Sequence, residues 1–134
     1  MANLLSGLAH IGFRTADIER ATRFYRSLGF TAHQALSIED PQGSIEVRFL
    51  ALGEHLMLEL YQLPWAGQQR SAAAFGIDHL ALRVSDLVAA QQWVEELGYP
   101  LTEGPTRQPS GRNGMRYFMI DGPDGERVEF NQLC

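Results

Sequence analysis

An α+β fold made of two βαβββ modules is the expectation for this chain, and three observations carry it. Residues 10–30, HIGFRTADIERATRFYRSLGF, lie over residues 79–99, HLALRVSDLVAAQQWVEELGY, at an offset of 69. Each copy contains one segment with apolar residues at helical spacing, and three strand-like runs follow it. In the first copy the helix-spaced residues are Ile18, Ala21, Tyr25 and Leu28; in the second they are Leu87, Ala90, Val94 and Leu97. With one inserted residue the ends of the copies also match, LELYQL at 58–63 over VEFNQL at 128–133. Neither half is large enough to bury its apolar face well alone, so the modules are expected to pack as one domain, 1–134.

The elements follow in order. A short alternating segment opens each module, 8–14 and 77–84. Helices are predicted over 17–28 and 86–97, with Asp17 and Asp86 as N-caps and Gly29 and Gly98 as left-handed stops. Strands are predicted at about 30–39, 44–51 and 55–61, then at about 99–104, 115–120 and 126–131. Gly122-Pro123-Asp124-Gly125 is a hairpin turn before the last strand. Module 1 therefore covers about 8–61, a linker 62–76, and module 2 about 77–134, with a Gly/Arg-rich loop at 106–114. The aromatic stripe Phe24, Tyr25 and Trp93 is read as core, because it lies on the helices.

Composition narrows the function. Eleven basic against sixteen acidic residues leave a net charge of −5, and no Lys/Arg run marks a nucleic-acid surface. No apolar stretch reaches the roughly 20 residues of a membrane span, and the N-terminus lacks a signal-peptide pattern. Cys134 is the only cysteine, so no disulfide framework forms within the chain. A soluble, cytoplasmic domain is the expectation.

Alternation along the strands divides each into two faces. Ile11, Phe13, Leu56, Leu58, Leu60, Leu80, Leu82, Val84, Val128 and Phe130 fall on the side that must cover the helices. His10, Glu59, His79 and Glu129 fall on the other side, one His and one Glu from each module. Two imidazoles and two carboxylates suit a borderline divalent ion with room for water or a chelating substrate. The lack of thiolates argues against a closed structural zinc site. Arg14 and Arg83 lie four residues past the histidines on the same face, as cations for an acidic substrate. His33 and His55 have no counterparts in the repeat and read as surface histidines.

The two matched segments and YFMIDGPDGERVEF at 117–130 resemble the vicinal oxygen chelate superfamily over essentially the whole chain. Within it the His/Glu/His/Glu order is most similar to glyoxalase I, the lactoylglutathione lyases. The resemblance implies a cupped mixed β-sheet around one divalent ion, nickel, cobalt or zinc. It implies His10, Glu59, His79 and Glu129 as the ligands, Glu129 as the favoured catalytic base with Glu59 able to share the role, and a homodimer. It also implies substrate contacts from Arg14 and from Arg107, which follows Gly104-Pro105. Two positions depart from the glyoxalase I pattern: Leu63 stands where an asparagine contacts glutathione, and Asp78 stands where glycine precedes the second His. The implied reaction turns a 2-oxoaldehyde–thiol hemithioacetal, of the methylglyoxal–glutathione type, into a 2-hydroxyacyl thioester. The alternatives are another enolate-forming epimerase or isomerase and a non-catalytic drug-binding protein.

Overall fold

Asp17 and Asp86 begin two helices for the same physical reason. Each takes an extended backbone and accepts a hydrogen bond, from the Arg20 and Ala89 N–H respectively, both at 3.1 Å. The helices, α1 (Ile18–Ser27) and α2 (Leu87–Glu96), end alike. Gly29 and Gly98 adopt φ of +106° and +94°, and the N–H groups of Phe30 and Tyr99 reach back to the carbonyls of Tyr25 and Val94. The computed structural model describes residues 7–65, 75–109 and 112–134. It divides the chain into two compact units, 1–68 and 69–134.

In the first unit β1 (Ile11–Arg14), β2 (Thr31–Asp40), β3 (Gly43–Leu52) and β4 (Leu56–Gln62) form a sheet in the order β1-β4-β3-β2. The second unit repeats this with β5 (His79–Arg83), β6 (Glu103–Gln108), β7 (Met115–Asp121) and β8 (Arg127–Leu133), in the order β5-β8-β7-β6. Both sheets are mixed. β1 runs parallel to β4 and β5 parallel to β8, while the remaining pairs are antiparallel. The predicted α+β class and the twice-repeated βαβββ order are both present.

One face of each sheet is covered by its helix, and the expected apolar set lies there. Leu50, Leu58 and Leu60 are buried with Ile18, Ala21 and Tyr25 in the first unit. Phe13, Phe24 and Phe30 surround the Tyr25 ring at centroid distances of 4.9–5.9 Å. In the second unit Phe118 and Phe130 stack at 5.0 Å, beside buried Leu87, Val94, Ile120 and Val128. Burying each such side chain is worth about 1.5–3 kcal/mol. The helix entries are tied to the sheets by a matched pair: Gln62 accepts from the Ile18 N–H and Gln132 from the Leu87 N–H, both at 2.7 Å.

Three expectations change. Trp93 remains 38% exposed, unlike Phe24 and Tyr25, because Leu87, Ala90 and Val94 take the inward stripe of α2 and leave Trp93 on its shoulder. The strand predicted at 99–104 lies instead at Glu103–Gln108, since the Tyr99 N–H is spent closing α2 and sheet pairing starts with the Thr102 N–H to Met119. The predicted loop therefore begins after Gln108; its residues 110 and 111 lie outside the described residues, as does 66–74 of the expected linker. A bulge between Glu103 and Thr106 breaks the register of β6 with β7. Gly104 is required there, with φ +77° and only 2.6 Å between a built Cβ and the Tyr117 carbonyl oxygen. The GPDG turn is present, closed by the Gly122 N–H to the Glu126 carbonyl at 2.7 Å.

Candidate functional site

The face of each sheet turned away from its helix carries one His–Glu pair, and the two pairs occupy the same position in their sheets. Gly12 pairs with Glu59 in the β1–β4 register, and Ala81 pairs with Glu129 in the β5–β8 register. Each histidine sits two residues before that partner, on the same face. His10 Nε2 lies 3.7 Å from Glu59 Oε2, and His79 Nε2 lies 3.5 Å from Glu129 Oε1. Within either unit, no three His, Cys, Asp or Glu side chains gather as a metal-binding group among the described residues. Each unit carries its own pair.

The donor set of each pair fits a divalent ion. Ligand bonds of about 2.1 Å put adjacent donor atoms about 3.0 Å apart in an octahedron and about 3.4 Å apart in a tetrahedron. Separations of 3.5 and 3.7 Å need only a small closing movement to reach those values. One imidazole and one carboxylate per unit is also the right chemistry for nickel, cobalt or zinc.

The surroundings of the pairs differ. His10 meets Phe49 edge-on at 5.7 Å, and Glu59 has His10 as its partner and part of its carboxylate exposed. Phe49 is the register partner of Glu59, and Leu36 and Ile38, opposite Val47 and Ile45, extend this apolar face outward across β2. In the second unit Glu129 is buried and accepts at Oε2 from Asn131 Nδ2 at 2.7 Å. Asn131 Oδ1 in turn accepts from Arg83 Nε at 2.7 Å. His79 Nδ1 lies 2.9 Å from Asp78 Oδ2, which also accepts from Arg127 Nη1 at 2.7 Å. Arg127 Nη2 donates to Glu103 Oε1 at 2.9 Å, and the Tyr117 hydroxyl donates to Glu103 Oε2 at 2.6 Å.

These bonds shift two acidities. The His79 hydrogen bond, supported by the Arg127 charge, holds the Asp78 carboxyl below its ordinary value. Donation to Glu103 pushes the Tyr117 hydroxyl up.

The remaining sequence candidates are placed as follows. Arg14 is exposed on the His10 face and makes no ion pair among the described residues, so its charge is available to a ligand. Arg83 is committed to Asn131. Arg107 does not share the face of Glu129. It pairs in register with Arg116, on the α2 side of the sheet, and its Nη2 donates to the Asn113 carbonyl at 2.9 Å. The bulge at Glu103–Thr106 is the cause, since one extra residue turns every later side chain of the strand over. His33 and His55 are exposed, as expected. Asp78, Asn131, Arg127, Glu103 and Tyr117 were not among the expected site residues. Only Asp78, standing where the repeat has Ala9, carried a visible signal.

Two βαβββ units with the same strand order define the class of protein. Residues 7–130 match the Glyoxalase/Bleomycin resistance protein/Dioxygenase superfamily, and the chain belongs to that family. It is 34% identical over 128 residues to the uncharacterized protein YwbC of Bacillus subtilis (strain 168), covering 92% of this chain and 94% of that one. Among solved structures it resembles a glyoxalase family protein from Enterococcus faecalis, at a TM-score of 0.77 and 20% identity over 96% of this chain and 99% of the other. It also resembles TnmS3, an antibiotic-binding protein from Streptomyces sp. CB03234, at a TM-score of 0.72 and 24% identity over 99% and 100% of the two chains. At those identities the two likenesses concern the fold.

Proposed function

We propose that this chain is a metal-dependent isomerase of the glyoxalase I kind, acting on the hemithioacetal of a 2-oxoaldehyde and a thiol. The observation that supports the reading most is the repetition of one His–Glu geometry at the same register in both units. In this reading His10, Glu59, His79 and Glu129 serve one divalent ion, the two units act as one cytoplasmic domain, and the protein works as a homodimer. An ion held by these residues would supply Lewis acidity to the two neighbouring oxygens of the substrate. Glu129 takes the proton from the hemithioacetal carbon and returns it to the adjacent carbon, while the hydroxyl proton passes to the neighbouring carbonyl oxygen, yielding the 2-hydroxyacyl thioester without net gain or loss of atoms. Arg14 holds an acidic part of the substrate, and Glu59 shares proton transfer.

The reading is tested by reconstituting the protein with nickel, cobalt or zinc. Methylglyoxal adducts of glutathione and of other acidic thiols, acyl-CoA esters and fosfomycin are then assayed side by side. Turnover is expected with a hemithioacetal, and Leu63 in place of a glutathione-contacting asparagine favours a thiol other than glutathione. Turnover of an acyl-CoA ester alone would move the protein to the epimerases. No turnover with any metal would overturn the isomerase reading. A second reading, a non-catalytic small-molecule binder, is favoured by the exposed apolar side chains Leu36 and Ile38 beside Phe49. Saturable binding of an apolar drug by metal-free protein, with no turnover, would establish it. Light scattering giving a 15.0 kDa monomer at micromolar concentration would count against the homodimer.

A further inference from the structure

We infer that Asp78 and Asn131 are positioning residues that hold His79 and Glu129 ready for a metal ion, and that the first unit has no equivalent among its described residues. The inference rests on the metal reading above.

A neutral imidazole has one lone pair, and the nitrogen that carries it is set by the bond the other nitrogen makes. An ionised carboxylate can only accept. Asp78 Oδ2, 2.9 Å from His79 Nδ1, therefore places the ring hydrogen on Nδ1 and leaves the Nε2 lone pair on the side of Glu129 Oε1. Asp78 is itself anchored, because Arg127 ties it to Glu103 and through Glu103 to Tyr117 on β7. Glu129 is fixed from the other side. Asn131 donates to Oε2, and the Arg83 bond to Asn131 Oδ1 sets the direction of that amide. Oε1 is the oxygen left facing Nε2. Outer partners of this kind typically matter about 10–100-fold in metal affinity.

In the first unit the matching positions are Ala9 and Tyr61, and neither can do the same. Ala9 offers no carboxylate to His10, whose ring packs instead on Phe49. Tyr61 is the register partner of Arg14 and stands where Asn131 stands.

The test uses the full chain and begins without metal. Long-range ¹⁵N–¹H spectra of the histidine rings at pH 8, assigned with His79→Gln, should show His79 with its hydrogen on Nδ1. Asp78→Ala should abolish that preference while leaving His10 unchanged; the exposed position of Asp78 makes the variant safe for folding. A competition titration with Ni²⁺ against a coloured chelator follows. Asp78→Ala and Asn131→Ala should each weaken binding by about 10–100-fold, and Asp78→Asn, which keeps an acceptor, by less. A wild-type His79 with its hydrogen on Nε2 would overturn the inference. So would an Asp78→Ala protein whose tautomer and Ni²⁺ affinity match the wild type. Failure of the metal reading shows separately, as a wild-type protein that binds no Ni²⁺.

Discussion

The first and second units share a backbone plan down to the register of their His–Glu pairs, yet they surround those pairs with opposite chemistry. Around Glu59 the sheet face is apolar and partly open, with Phe49 against the imidazole. Around Glu129 it is a connected set of hydrogen bonds running from Arg83 through Asn131 on one side and from His79 through Asp78, Arg127 and Glu103 to Tyr117 on the other. A buried carboxylate is costly unless its oxygens are bonded, and Asn131 supplies that bond. Glu59, with water at hand, needs no such support. Residues that look equivalent in the repeat thus stand in different surroundings. The second unit holds a buried, hydrogen-bonded carboxylate, and the first a partly exposed one beside an apolar surface.

The largest effect is expected on turnover. Glu129→Gln should lower it by roughly 10²–10⁴, the range for loss of a general base, while Glu59→Gln should cost about tenfold or less. The kcat of both variants on the best hemithioacetal decides this, and the reverse order would move the base to the first unit. Metal content comes next. His79→Ala should lose more metal than His10→Ala, because it removes the prearranged pair, and elemental analysis of a double alanine variant with unchanged metal would sink the ligand assignment. Stability should show the same asymmetry. Asn131→Ala should destabilise by about 1–3 kcal/mol, the cost of leaving a buried acceptor unsatisfied. Tyr61→Phe, at the matching position, should stay within about 0.5 kcal/mol. Urea unfolding measures both, and equal midpoints would show that Glu129 finds other donors.

The smallest contrast lies between the two arginines. Arg14→Ala should raise KM with kcat retained, the signature of lost uniform binding. Arg83→Ala should instead lower kcat several-fold, since it frees the Asn131 amide that holds Glu129. Arg83→Ala changing KM alone would show that it, too, is a substrate contact.

Much of this protein is legible in its residue order. The helix caps at Asp17, Asp86, Gly29 and Gly98 follow from local backbone chemistry and are present. The four candidate ligands follow from strand alternation applied twice to one repeat. The Gln62/Gln132 pair is equally visible in LELYQL and VEFNQL, but matched glutamines carry no local signal that they will meet a helix start 44 or 45 residues earlier. Arg107 is a different case: resemblance alone offered it as a substrate contact, and a single extra residue at the bulge between Glu103 and Thr106 sets it in register with Arg116 on the helix side.

Residue order therefore determined the repeat, both helices and all strands but β6, most of the inward apolar faces and the identity of the histidines and glutamates, because these depend on spacing along the chain and on short-range backbone energetics. Only the tertiary structure decided which of the two equivalent carboxylates would be buried and bonded. That choice depends on Asp78, Arg83, Glu103, Tyr117, Arg127 and Asn131 meeting across four strands. Hydrogen bonds of about 3 Å are set by register and side-chain direction between strands, and neither is written in the spacing of the residues that form them.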